Sequence, residues 1–152
     1  MDYLFPIYRE VSTYPRLMQE GIEGNPEALS AEDLHKSAWQ IVGPHFKQEQ
    51  EAAAARYSEL RTHGRASKDV AEIVPAAYHG RVETLFVELG AEVWGVFDPN
   101  TSTVSLRERA ETPDLDLSDR SAALTSLNGG TVYVVDRSEM PEEGPLAAIF
   151  RY

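Results

Sequence analysis

Apolar positions recur at helical spacing between Leu34 and Leu60, then gather into short uninterrupted runs punctuated by glycine. The chain therefore reads as a long helix followed by a strand-rich region. Ser30 opens the helix as an N-cap, with Asp33 at the capping-box position and Glu32 near the positive end of the dipole. Trp39, Val42, Phe46, Ala53, Tyr57 and Leu60 share one face, widened by Leu34, Ala38 and Ile41, and the helix is expected over residues 31–62, stopping near Gly64. Pro44 lacks a backbone donor and crowds the preceding turn, which predicts a kink or a break at Gly43-Pro44. Alanine at every position from Ala52 to Ala55 keeps the second half thin enough for another element to approach closely.

The stretch from Val70 to Asp98 is the expected nucleus of an α/β layer. A helix over residues 68–79, capped by Ser67 and divided at Pro75, runs into Gly80, a residue that ends helices in a left-handed conformation without a Cβ penalty. Val82, Leu85, Phe86, Val87 and Leu89 form a run too apolar to alternate, which predicts a strand covered on both faces. Gly90 then permits a tight reversal into Val93, Trp94, Val96 and Phe97, read as a second strand beside the first. Further on, Thr103–Leu106 reads as a weak edge strand and residues 112–117 as an acidic loop. A helix capped by Asp116 or Ser118 is expected to run to Leu127, with Ala122, Ala123, Leu124 and Leu127 facing inward. Asn128-Gly129-Gly130 stops it, Thr131–Val135 is a second buried strand, and Leu146–Phe150 is the last.

Residues 1–30 differ from the rest. Tyr3, Phe5, Ile7, Tyr8, Tyr14 and Leu17 stand among prolines and glycines without a sustained period, which reads as an extended arm. It is the end of a preceding folded unit, or it packs over this domain's own core. The expected organisation is thus an arm over 1–30 and an α/β domain over 31–152, comprising the long helix 31–62 and a sheet domain 67–152.

Composition narrows the chemistry. At 152 residues and 42% hydrophobic the chain suits one globular domain. It holds no cysteine, which excludes disulfides and thiolate metal sites and fits a reducing, cytoplasmic setting. A net charge of −11, with −4 before residue 76 and −7 after it, repels phosphate backbones and argues against autonomous nucleic-acid binding. An acidic face of this kind serves solubility or a basic protein partner. No apolar run reaches the roughly 20 residues of a membrane helix.

His35, His45, His63 and His79 show no zinc-binding spacing, and nucleotide and nucleophile-elbow motifs are absent, so neither metal nor cofactor is expected. Asn128-Gly129-Gly130 precedes a strand rather than a helix N-terminus, so it reads as a helix stop and not a phosphate cradle. Asp114, Asp116 and Asp119 offer carboxylates that a hard cation could use, but their spacing is not the EF-hand pattern and they read better as solvated charge. Arg81 and Glu83 flank the start of the central strand and are expected to pair with neighbours.

The phrases AEIVPAAYHGRVETLFVELGAEVWGVFD, LTSLNGGTVYVV and AAIFRY together resemble the C-terminal domain of bacterial relatives of archaeal and eukaryotic class-one release factors and Pelota. LFPIYREVSTYP, GIEGNPEALSAEDLHKSAW and ASKDVAEIVPAA resemble the third bacterial family of that group. The resemblance implies an L7Ae-like fold: a three-layer α/β/α sandwich with a mixed β-sheet of four to five strands, preceded by the long, kinked helix and following a middle domain. In release factors the middle domain carries Gly-Gly-Gln; here Gly129-Gly130 is followed by Thr131, so hydrolysis is not carried over. The expected function is a non-catalytic protein-interaction domain acting with the ribosome or a translational GTPase. The alternatives are a small-molecule or divalent-cation-binding domain of a stress-related protein, with its pocket near Asp114, Asp116 and Asp119, and dimerisation through the long helix at Trp39 and Tyr57.

Overall fold

The computed structural model describes residues 4–25, 28–109 and 115–152. The chain divides into two compact units, 1–49 and 50–152.

The first unit corrects the expectation of a wholly extended arm. Residues Leu4–Val11 form a helix, α1. Pro6 does not oppose it, because it falls in the first turn, where backbone N–H groups have no intrahelical partner. Arg9 on α1 donates to the Met18 carbonyl at 3.2 Å and also to Gln19, while its guanidinium lies 4.6 Å from the centre of the Phe5 ring. From Ser12 to Asn25 the chain holds no regular element, as expected.

Helix α2 spans Ala31–Arg61. Its start follows the capping reading: Ser30 Oγ accepts the Asp33 N–H at 3.1 Å and donates to the Asp33 carboxylate at 2.6 Å. The helix does not break at Pro44, which lies inside it. One backbone bond is lost there, but the residue before the proline is Gly43, which has no Cβ to meet the proline ring.

The second unit is built on a mixed sheet of order β1-β7-β2-β6, formed by Ala66–Ser67, Leu146–Phe150, Val82–Glu88 and Thr131–Val135. The expected final strand β7 is central, antiparallel to both β1 and β2, while β6 runs parallel to β2. Side chains alternate across β7. Leu146, Ala148 and Phe150 enter one core with Val82, Leu85 and Val87 of β2, whereas Ala147 and Ile149 enter a second core with Phe86. Val82 and Leu85 share a face despite their odd spacing because the register shifts between Val82 and Thr84. Tyr57, Ala53, Ala54 and Leu60 of α2 cover the second core, and the first is covered by α3 (Val70–Tyr78) and α4 (Leu117–Leu127). These are the three layers of the expected sandwich. Of the alanine stretch in α2, Ala53 and Ala54 face the second core, while Ala52 and Ala55 are exposed.

Several local expectations change. Gly90 does not return the chain beside β2. Strand β3 (Trp94–Asp98) instead joins β4 (Thr103–Leu106) and β5 (Leu115–Asp116) in a separate three-stranded sheet of order β4-β3-β5. Both flanks of β2 are already occupied, by β6 and β7. Asp69, not Ser67, caps α3 by accepting the Ala71 N–H at 2.8 Å, and Ser67 belongs to β1. Pro75 does not divide α3, which is continuous. Asp116 caps α4, and that helix's buried face is Leu117, Ser118, Ser121 and Thr125, whereas Leu127 is exposed. Small hydroxyl residues there let α4 approach α3 closely. Strand β6 is a partly exposed edge rather than a buried strand.

Both helix stops have the expected glycine chemistry. Gly80 has φ +68°, with Gly80 N–H donating to the Ala77 carbonyl and Arg81 N–H to that of Ala76. Gly129 and Gly130 repeat the pattern onto Ser126 and Thr125.

Candidate interaction surface

Tyr57 emerges from the sheet-facing side of α2 with its ring 1% exposed, so the residue expected at a dimer seam belongs to this unit's own core. Its hydroxyl reaches the loop between β6 and β7 and donates to Glu142 Oε2 at 2.6 Å. Arg61 Nε, one helical turn on, donates to the same oxygen at 2.9 Å, and Lys68 Nζ lies 3.3 Å from Oε1. Hydrogen bonds from Arg61, Tyr57 and Lys68 hold the Glu142 carboxylate at a pKa of about 2, below its ordinary 4.5. Burial, then the Glu142 contact, raises the Tyr57 phenol. Lys68 also meets the Glu143 carbonyl at 3.3 Å, and Arg137 pairs with the Glu143 carboxylate at 2.7 Å.

Because the folded pKa of Glu142 is depressed, its stabilisation is present above pH 4.5 and is lost as pH falls towards 2. The full shift corresponds to about 3 kcal/mol. Glu142 is 27% and Arg61 47% exposed, and solvent screening reduces this to about 1–2 kcal/mol. Glu142→Gln is therefore expected to lower urea stability by about that amount at pH 7, and by progressively less as the pH approaches 2. A difference from wild type that is independent of pH would refute the arrangement.

On the other side of the sheet a groove of about 550 Å³ opens beside α3, lined by Glu72, Pro75, His79, Arg81, Ser102 and Tyr152 among others. Its size falls in the range of small-molecule sites. Arg81 donates to the Tyr152 carbonyl at 3.2 Å and lies over its ring, so this cation is engaged by the chain itself. His79 Nε2 lies 3.3 Å from Ser102 Oγ, and Ser102 has the left-handed φ of +53°. Both side chains are exposed, and among the described residues no acceptor orients the other imidazole nitrogen. That contact lacks the third group that makes a serine–histidine pair nucleophilic.

The remaining sequence candidates are dispersed. Asp116 Oδ1 accepts from both Ser118 N–H at 2.9 Å and Val93 N–H at 3.2 Å, so its carboxylate serves as cap and strand tie. Asp119 is exposed, and Asp114 lies outside the described residues. Among the described residues no group of three or more His, Asp or Glu side chains forms a metal site. Glu83 pairs with Arg56 of α2, as the expectation of local pairing required. No helix among the described residues is long and apolar enough to cross a membrane. What sequence reasoning missed is the cluster at Glu142, whose partners Tyr57, Arg61 and Lys68 are brought to it only by tertiary packing; PEEG carries no signal for it.

Several exposed apolar groups lie in elements that sequence reading assigned to packing. In the first unit Trp39 and Phe46 are 57% and 53% exposed, and His35 stacks on Trp39. In the second, Val134 of β6 is 60% exposed.

Residues 1–81 match the family model described as Bacterial archaeo-eukaryotic release factor family 3. No curated protein matches the chain. Among solved structures, the chain is similar to the C-terminal domain of a peptide chain release factor from Methanosarcina mazei. The identity is 17% and the TM-score 0.61, over 86% of this chain and 98% of that one. It is also similar to Pelota from Archaeoglobus fulgidus, at 17% identity and a TM-score of 0.49 over 99% of this chain and 45% of that one. A third similar chain comes from a model of ribosome-bound archaeal Pelota and ABCE1, at 18% identity and a TM-score of 0.50 over 99% of this chain and 40% of that one. The chain thus spans less than half the length of either Pelota chain.

Proposed function

Since the chain belongs to the bacterial archaeo-eukaryotic release factor family 3, we propose that it is a non-catalytic protein-interaction domain of a release-factor-like protein, acting with the ribosome or a translational GTPase in the cytoplasm. Family membership carries this reading. The fold agrees with it, since a release factor C-terminal domain superimposes along nearly its whole length. Charge directs the choice of partner: at −11 the chain is poorly suited to holding a phosphate backbone by itself, so contacts with protein are favoured over contacts with RNA. The chain contains no Gly-Gly-Gln, and Gly129-Gly130 serves as the stop of α4, which supports the non-catalytic reading.

Co-sedimentation of the tagged chain with bacterial ribosomes, with and without a purified translational GTPase, tests the proposal. Enrichment in the ribosomal pellet is expected, and more of it when the GTPase is present. Absence from both pellets, under conditions that retain a known factor, would overturn the reading.

A further inference from the structure

The two edges of the four-stranded sheet are finished differently. Strand β1 is two residues long and runs directly into Lys68 and the cap of α3, which is how natural sheets blunt an edge. Strand β6, TVYVV, has five residues, no charge, no proline and an unbroken register with β2. Among the described residues no strand pairs with its outer side. The phase of the ladder is set by Leu89 N–H, which donates to the Val135 carbonyl. In a parallel pair this turns the N–H and C=O groups of residues 131, 133 and 135 towards β2, and those of Val132 and Val134 outward. Two donors and two acceptors therefore stand at strand spacing on an accessible edge, beside the exposed Val134 side chain.

Charge decides what fits there. From Thr131 to Glu143 the chain holds Asp136, Glu139, Glu142 and Glu143; Arg137 pairs with Glu143 and Arg61 and Lys68 meet Glu142, while the chain as a whole stays at −11. A second copy of the chain would bring the same acidic segment, and another net charge of −11, to the seam. A basic segment meets no such repulsion. We propose that β6 receives an extended, basic segment of a partner protein as an added strand, bonded to the backbone of Val132 and Val134. The pairing rests on edge geometry and charge; only the identity of the partner rests on the translational reading above.

Amide hydrogen exchange on the full chain reads these two positions directly, with the synthetic peptides KVTVTVK and EVTVTVE as probes. In the free chain the Val132 and Val134 amides are expected to exchange freely, while those of residues 133 and 135 are protected. KVTVTVK is expected to slow the two outward amides by about tenfold or more, and EVTVTVE to leave them nearly unchanged. Val134→Lys keeps the backbone donor but sets a like charge against the basic probe, so its response to KVTVTVK should fall by about tenfold. Outward amides already protected in the free chain would overturn the proposal. So would equal protection by both peptides, or protection that rises with protein concentration alongside dimer formation in sedimentation. Ribosomal enrichment that persists while Val132 and Val134 ignore both peptides would sink the edge and spare the family reading. The opposite pair of results would do the reverse.

Discussion

Replacing Phe86 with alanine is expected to destabilise the second unit by about 3–5 kcal/mol, a large share of the roughly 5–15 kcal/mol that holds a domain of this size together. Phe86 is fully buried in β2 on the face covered by α2, with its ring stacked on Tyr133 at a centroid distance of 5.3 Å. The surroundings explain why the loss should lie near the upper end. The same core contains Ala53, Ala54, Ala66 and Ala147, side chains too short to move into the vacated volume. A cavity that cannot collapse adds its own cost to the lost transfer energy. Phe86→Leu, which keeps most of the volume, should cost much less. Urea unfolding of both variants at pH 7 measures the difference, and a loss under about 1 kcal/mol for the alanine variant would mean that the α2 face is not a packed core.

The second large effect is expected at Gly95. A Cβ there would stand 2.5 Å from the Ser105 carbonyl oxygen and 3.0 Å from Leu117 Cδ1. The first belongs to the backbone of β4, paired with β3, and the second to a fully buried side chain at the start of α4. Neither can turn aside as the tip of a flexible side chain does. Gly95→Ala is therefore expected to cost about 2–3 kcal/mol by overpacking. Amide shifts should spread along β3 and β4, with the four-stranded sheet little changed. Gly90→Ala is the informative contrast: it meets nothing within 4 Å but sits at φ +76°, so its cost is backbone strain alone, about 1–2 kcal/mol. Equal effects at the two positions, or shifts centred on β2, would contradict the separate second sheet.

These two residues mark the limit of what local pattern reveals. Phe86 lies in a run whose continuous hydrophobicity announced burial on both faces. Gly95 looks like an ordinary strand residue until β4 and α4 are placed against it. The Gly90 turn shows the same limit, since the glycine signalled a turn correctly but carried no information on which strand would pair with β2. That was settled by β6 and β7, which lie more than forty residues further along the chain. The interaction surface was less legible still. Asp116 was visible as an acid and as a cap, and proved to be a cap. Tyr57 was visible as part of a helical stripe, but its covering is its own sheet rather than a second copy.

Elements whose cause is local were determined by the amino-acid sequence alone: the Ser30 start of α2, the glycine stops after α3 and α4, and the continuous apolar runs of β2 and β7. Each depends on the stereochemistry or hydrophobicity of a few adjacent residues. Tertiary structure decided the strand order, the departure of β3 into its own sheet, the hydroxyl-lined seam of α4, the Glu142 cluster and the open edge at β6. These depend on which distant segments compete for the same flank of a strand or the same charge, and that competition is resolved only when the whole core closes.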